Sequence, residues 1–221
     1  MSDEKLAQPE TKPRKLIIWG TETYFFLTYG CSILYWFLFR RRFENRKNLP
    51  KTGGIVLAIN HQSFLDIPLV TMAARRHVCF VARSSLTQSR IMDFILRRCG
   101  AVLVKRGSSD RAALREMVEH LRLGDILAVF PEGTRSSDGQ MGEFKKGALH
   151  VARIAKVPIM PVGIRGAHEA FSRHAKFPSF KRVALRFGEA VDSSLPDAQE
   201  KVEQAVHAMV GDGRYDSVPP V

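Results

Sequence analysis

Short apolar runs and helix-patterned stretches take turns along most of this chain, and that alternation restricts its fold more than any other feature. Ile55–Asn60, His77–Ala82, Ala101–Lys105, Ile126–Phe130, Ile159–Ile164 and Arg182–Phe187 read as strands. Helical patterns at Phe64–Ala74, Ile91–Arg98, Asp110–Leu123, Ala148–Lys156 and Ala198–Val210 lie between or after them. Asp110–Leu123 is the clearest helix: Ser109 can cap it, Ala113, Leu114, Met117, Val118 and Leu121 share a face, and Gly124 ends it. Strands that are apolar on both sides must be covered on both sides. The order therefore predicts an α/β fold, a mostly parallel sheet with helices on both faces. In such sheets the loops leaving the carboxyl ends of strands build the site, which directs attention to residues 60–66, 105–110 and 131–146.

The N-terminal part follows another pattern. Nine of the chain's twenty aromatic residues fall between Leu16 and Phe39. As a helix this stretch spans roughly 36 Å, enough to cross a bilayer core, but Glu22 interrupts it and the charge-free remainder reaches only roughly 25 Å. The aromatics surround the helix instead of forming one stripe, which suits contact with lipid. Basic residues flank both ends, so the positive-inside rule does not choose between a span and an interfacial anchor. The expected organisation is a disordered residues 1–14, a membrane-anchoring helical segment over 15–42, an α/β domain over 43–212 and a flexible tail over 213–221.

Three constellations carry chemistry. In Asn60-His61-Gln62-Ser63-Phe64-Leu65-Asp66, His61 and Asp66 can meet if His61 lies on the turn before a helix and Asp66 reaches back from its first turn. The carboxylate then holds one imidazole nitrogen while the other takes a proton from a hydroxyl. The same residues also read as a capping box, Ser63-x-x-Asp66, with no catalytic meaning. In Phe130-Pro131-Glu132-Gly133-Thr134-Arg135-Ser136 a strand ends in a tight loop presenting Glu132 and Arg135, either as a site or as a surface ion pair. Lys145, Lys146 and the helix opening at Gly147 add an anion site downstream. Lys105 and Arg106 are two further cations at a strand end, which solvent exposure alone also explains.

A net charge of +12 implies an anionic partner. The cations are dispersed and no nucleic-acid reader motif accompanies them, so nucleic acid is not expected. Cys31, Cys79 and Cys99 lack metal or disulfide spacing and read as reduced thiols. His120, His150, His168, His174 and His207 lack ligand spacing and read as surface or satisfied core residues. Serine-hydrolase and nucleotide-loop motifs are absent. A base without a side-chain nucleophile suggests that a substrate hydroxyl attacks an already activated acyl group.

His61–Asp66 resembles the NHX4D block of the glycerolipid acyltransferases, the PlsC-like 1-acyl-sn-glycerol-3-phosphate acyltransferase family. Gly100–Arg106, Phe130–Ser136 and Val157–Val162 (VPIMPV) are similar to that family's second, third and fourth blocks, in order. The resemblance implies that His61 is the base and Asp66 its partner. It implies that Lys105, Arg106, Glu132, Gly133, Thr134, Arg135 and Lys145 bind substrate, and that Pro158 and Pro161 shape the pocket near the acyl donor. The reaction expected is transfer from acyl-CoA or acyl-ACP as cosubstrate to lysophosphatidic acid, giving phosphatidic acid, with no cofactor or metal. Another lysolipid acceptor, such as a lyso-ornithine lipid, is the alternative. A lipid-binding protein without activity is a further one. Membrane phospholipids, the lysolipid and acyl carrier protein are the expected partners, with the domain on the cytoplasmic face of the inner membrane.

Overall fold

A computed structural model describes Gly30 and residues 39–90, 93–94, 96, 100–105 and 110–220. Most of the segment expected to anchor in the membrane, the core of the expected helix Ile91–Arg98, the cap Ser109, and Cys31, Cys99 and Arg106 lie outside the described residues. Among the described residues no helix is long and apolar enough to cross a membrane.

Seven strands, β1 (Arg41–Glu44), β2 (Ile55–Ile59), β3 (Val78–Arg83), β4 (Val102–Val104), β5 (Ile126–Val129), β6 (Ile159–Arg165) and β7 (Val183–Phe187), form one sheet in the order β1-β7-β6-β2-β5-β3-β4. The helices are α1 (Asp66–Ala74), α2 (Arg111–Arg122), α3 (Gly147–Ala155), α4 (Ala167–Phe171) and α5 (Ala198–Val210). Alternate residues of β2 divide between two cores. Ile55, Leu57 and Ile59 pack with α1 on one face, while Val56 and Ala58 pack with α2, α3 and α5 on the other. The period of two thus places a fully apolar strand between two layers, as its sequence demands.

All pairings are parallel except β6 with β7. The connection from β6 through α4 returns at the same edge of the sheet, so β7 runs back and reverses the ladder. β1 was not foreseen. Arg41 and Arg42, read from sequence as the basic flank of the anchor, pair with Val183 and Ala184 and begin the sheet ahead of residue 43. Glu44 explains the attachment: its buried carboxylate takes Arg165 at 2.9 Å and Arg186 at 2.5 Å, joining β1, β6 and β7. Removing one partner from such a set leaves a buried charge uncompensated. The last residues are also drawn in: Tyr215 and Pro219 offer carbonyls to Arg165 and Arg186, and Gly213 to the Gly166 N–H.

Asp110, not Ser109, caps α2, its side chain accepting from the Ala113 N–H at 3.1 Å. At that helix's other end Asp125 sits between two imidazoles, His120 at 2.8 Å and His77 at 3.2 Å. Among the histidines set aside in the sequence, His120 thus ties α2 to the start of β5. The hydrogen bond to Asp125 raises its pKa from 6.5 to about 10. Asp125 is pulled the other way by both imidazoles, well below the usual carboxylate range, despite its burial.

A folded-state pKa raised above the unfolded one stabilises fully below pH 6.5, and that stabilisation fades as pH climbs through about 10. The Asp125 share is lost only when pH falls below the ordinary carboxylate range. His120→Asn should therefore cost about 1–3 kcal/mol in denaturant unfolding at pH 5–6. The gap from wild type should close as pH approaches 10. A gap independent of pH would mean that the ion pair contributes nothing.

Candidate active site

The site is built where β2 ends. Past Ile59 the strand pairing with β6 stops, and Asn60 replaces it: its amide donates to the Ile164 carbonyl at 2.8 Å and accepts from the Ile164 N–H at 2.7 Å. The chain then turns into α1. Asp66, fully buried, reaches back so that one oxygen, Oδ2, accepts from His61 Nδ1, Gln62 N and Ser63 N, each at 2.8 Å. Asp66 therefore combines parts of the two sequence readings. It takes the backward hydrogen bond of a capping box and also holds the imidazole. Ser63 does not cap the helix, which begins at Asp66 and not at Phe64. Its hydroxyl donates to the Phe171 carbonyl at 2.6 Å and accepts from the Leu65 N–H at 3.1 Å.

The Asp66 carboxylate, as acceptor of the hydrogen bond with His61, assigns the His61 proton to Nδ1 and leaves Nε2 without one. The ring lies on Phe130 with centroids 4.0 Å apart and planes at 19°. Phe130 in turn faces Phe80 of β3 at 6.3 Å. The imidazole is thus fixed by hydrogen bonding along its edge and by stacking on its face.

Glu132 is placed differently from the expectation. It is buried, and its two oxygens accept from the His61 N–H at 2.7 Å and the Gly142 N–H at 3.0 Å. Burial pushes its pKa up, opposed by those two hydrogen bonds. Together with the Ser136 N–H donating to the His61 carbonyl at 2.8 Å, it clamps the loop after β5 onto the loop after β2. The surface ion pair with Arg135 does not form. Arg135 lies over the Phe64 ring at 3.6 Å, and its Nη1 is buried without a hydrogen bond. Burial and the field of Arg173 lower its pKa.

Gly133 adopts φ +72°, and a Cβ there would stand 3.0 Å from Lys145 Nζ. Gly133 is needed for the turn and for the close approach of that ammonium. Thr134 and Lys145 are exposed on the same loop pair. Lys105, exposed at the end of β4, is separated from the β5 loop by β3. The strand between them contributes Arg83, which donates to the Gly133 carbonyl. Sequence reading missed Arg83, although it closes a strand at the same edge as the residues chosen. Pro158 lies ahead of β6 at the opposite edge, where its carbonyl accepts from the Val56 N–H at 3.1 Å. Pro161 pairs with Ala58 in mid-sheet. Both prolines therefore stand away from the mouth of the site and serve the sheet.

Residues 40–165 match the model of the Acyltransferase family. The chain is 33% identical over 138 residues to a chloroplastic 1-acyl-sn-glycerol-3-phosphate acyltransferase of Arabidopsis thaliana, an alignment covering 61% of this chain and 38% of that one. It spans well under half of that relative's length. It is 25% identical over 179 residues to the 1-acyl-sn-glycerol-3-phosphate acyltransferase of Bacillus subtilis (strain 168), covering 72% and 88% of the two chains. The crystal structure of the 1-acyl-sn-glycerophosphate acyltransferase PlsC from Thermotoga maritima is similar with a TM-score of 0.73 and 30% identity, covering 85% of this chain and 78% of that one.

A carboxylate whose two oxygens hold two loops together is a structural group before it is a ligand. Glu132→Gln replaces one acceptor by a donor facing a backbone N–H, and should destabilise the protein by about 1–3 kcal/mol in chemical unfolding. Thr134→Ala, on the exposed side of the same loop, should stay within about 0.5 kcal/mol. Equal, small effects would return Glu132 to the role of a free substrate ligand.

Proposed function

The chain belongs to the Acyltransferase family, and on that premise we propose that it transfers a fatty acyl group from a thioester to the sn-2 hydroxyl of lysophosphatidic acid, giving phosphatidic acid. The observation that carries this reading is His61 locked through Nδ1 by Asp66 at 2.8 Å, beside a loop whose arginine keeps an unpaired buried donor. His61 Nε2 takes the proton as the acceptor hydroxyl attacks the thioester carbonyl. The new C–O bond forms, the C–S bond breaks, and the proton passes to the departing thiolate. Asp66 keeps the imidazole in the needed tautomer and stabilises its charged form.

Arg135, with Lys145 beside Gly133, supplies the positive charge for the acceptor's phosphate. Arg83 holds the Gly133 carbonyl and so fixes the loop that carries them. Lys105 and Arg106 join them as acceptor ligands on the strength of their sequence block. Direct transfer needs no cofactor or metal beyond acyl-CoA or acyl-ACP as the cosubstrate. Both donors are acidic and suit a basic surface. A lipid acceptor and a lipid product place the reaction at a membrane, and we assign the domain to the cytoplasmic face of the inner membrane.

The test is incubation with labelled acyl donors and a panel of lysolipids, with product identification. Phosphatidic acid should form from lysophosphatidic acid. Acylation confined to a lysolipid without a phosphate monoester would overturn the acceptor. His61→Ala should lower kcat by roughly 10²–10⁴-fold while the protein stays folded, and Asp66→Asn should also slow turnover. Arg135→Ala should reduce kcat/KM for lysophosphatidic acid roughly 10- to 150-fold, leaving the donor KM nearly unchanged.

A further inference from the structure

The connection from α4 to β7, Ser172–Arg182 (SRHAKFPSFKR), contains four Lys or Arg residues and no acid. Phe177 and Phe180 within it are 81% and 79% exposed, more than the other large apolar residues described. Leaving two benzyl groups in water is unfavourable, and a mobile strap would let them fold inward. This strap is tethered. The Ser179 N–H donates to the Ala170 carbonyl and the Lys181 N–H to the Ser179 carbonyl, both at 2.7 Å, with Pro178 fixing φ between the two rings.

The strap also stands at the mouth of the site. It leaves the sheet at the edge where β6 ends, and its base is joined to the catalytic turn by the Ser63 hydroxyl on the Phe171 carbonyl. Phe171 is 6.4 Å from Phe64, the ring that Arg135 covers. Outward aromatics set among cations, with no acid between them, match the layered chemistry of an anionic bilayer, whose charge lies outside and whose hydrocarbon lies beneath. A protein partner would instead meet a broad apolar patch.

We propose that residues 172–182 form a membrane-docking loop. Phe177 and Phe180 enter the interfacial layer of an anionic bilayer while Arg173, Lys176, Lys181 and Arg182 meet its head groups, bringing the exposed Phe64 and the Arg135 on it to the lipid. This surface is distinct from the aromatic segment before residue 40, and it stands on exposure and charge whether or not the transfer reaction is assigned correctly.

The experiment uses the full chain with Phe177→Trp in a Trp19→Phe/Trp36→Phe background, so that the loop holds the sole indole. The protein is placed in phosphatidylglycerol/phosphatidylcholine vesicles with ordinary or brominated acyl chains. Emission should move to shorter wavelength relative to detergent-free protein without vesicles, and brominated chains should quench it. Lys176→Glu/Lys181→Glu should weaken both effects, as should salt. The same signals are expected in a His61→Ala protein, which separates docking from catalysis. Phe177→Ser/Phe180→Ser should raise the apparent KM for vesicle-borne acceptor roughly five- to ten-fold and leave kcat in mixed micelles unchanged. An indole that brominated chains do not quench overturns the proposal. So does one already shifted without vesicles and unaffected by them, since the ring is then covered by this chain itself.

Discussion

The site depends on one buried oxygen. Asp66 Oδ2 accepts three hydrogen bonds, from His61 Nδ1 and from the N–H groups of Gln62 and Ser63. A carboxylate without exposure is strongly disfavoured unless donors replace its hydration. Here the replacing donors are the turn itself and the imidazole. The requirement that folds the turn after β2 is therefore the same one that sets the tautomer of His61. Changing Asp66 disturbs both at once, because geometry and chemistry share an atom.

A second buried carboxylate carries that arrangement into the rest of the sheet. Glu132 joins the His61 and Gly142 amides, so the loop after β5 cannot move without the loop after β2. Phe130, one step before that loop, forms the floor under His61. The cations are spread around this frame, with Arg135 on Phe64, Lys145 against Gly133 and Arg83 on the Gly133 carbonyl. Positive groups near one another repel, and here one is held on a backbone carbonyl and another on an aromatic face, an arrangement that suits the phosphate proposed above. Asp66 and Glu132 are turned inward onto backbone donors.

The sheet's far side repeats the same logic for a structural purpose. Glu44 between Arg165 and Arg186 fastens an edge strand that offers little apolar surface of its own. Gly213 belongs to the same closure. With φ +86°, it approaches so closely that a Cβ would lie 2.2 Å from the Gly139 carbonyl oxygen and 2.5 Å from Gln62 Nε2. Gln62 donates to the carbonyls of both glycines, so the chain's last residues buttress the catalytic turn. The tail expected to be flexible is bound instead to Gln62, Arg165, Gly166 and Arg186.

What the sequence determined alone was what local pattern encodes. Apolar runs of strand length placed β2 to β7 within a residue or two, since burial on both faces leaves few polar positions in them. The five-residue spacing of His61 and Asp66 allowed their meeting, because a turn and one helical turn can close that distance. Other features needed the third dimension. Strand order put β3 between β4 and β5, parting Lys105 from Arg135 and admitting Arg83, and order is set by crossover connections that leave no mark in any one segment. β1 was illegible because Arg41, Arg42 and Glu44 are charged, and only partners on β6 and β7 make that strand worth burying. Glu132 looked like a ligand because its sequence neighbours are a turn. Its two backbone donors, ten and seventy-one residues distant, give it a structural part as well, and the longer of these hydrogen bonds in sequence exists only once the sheet has brought its loops together.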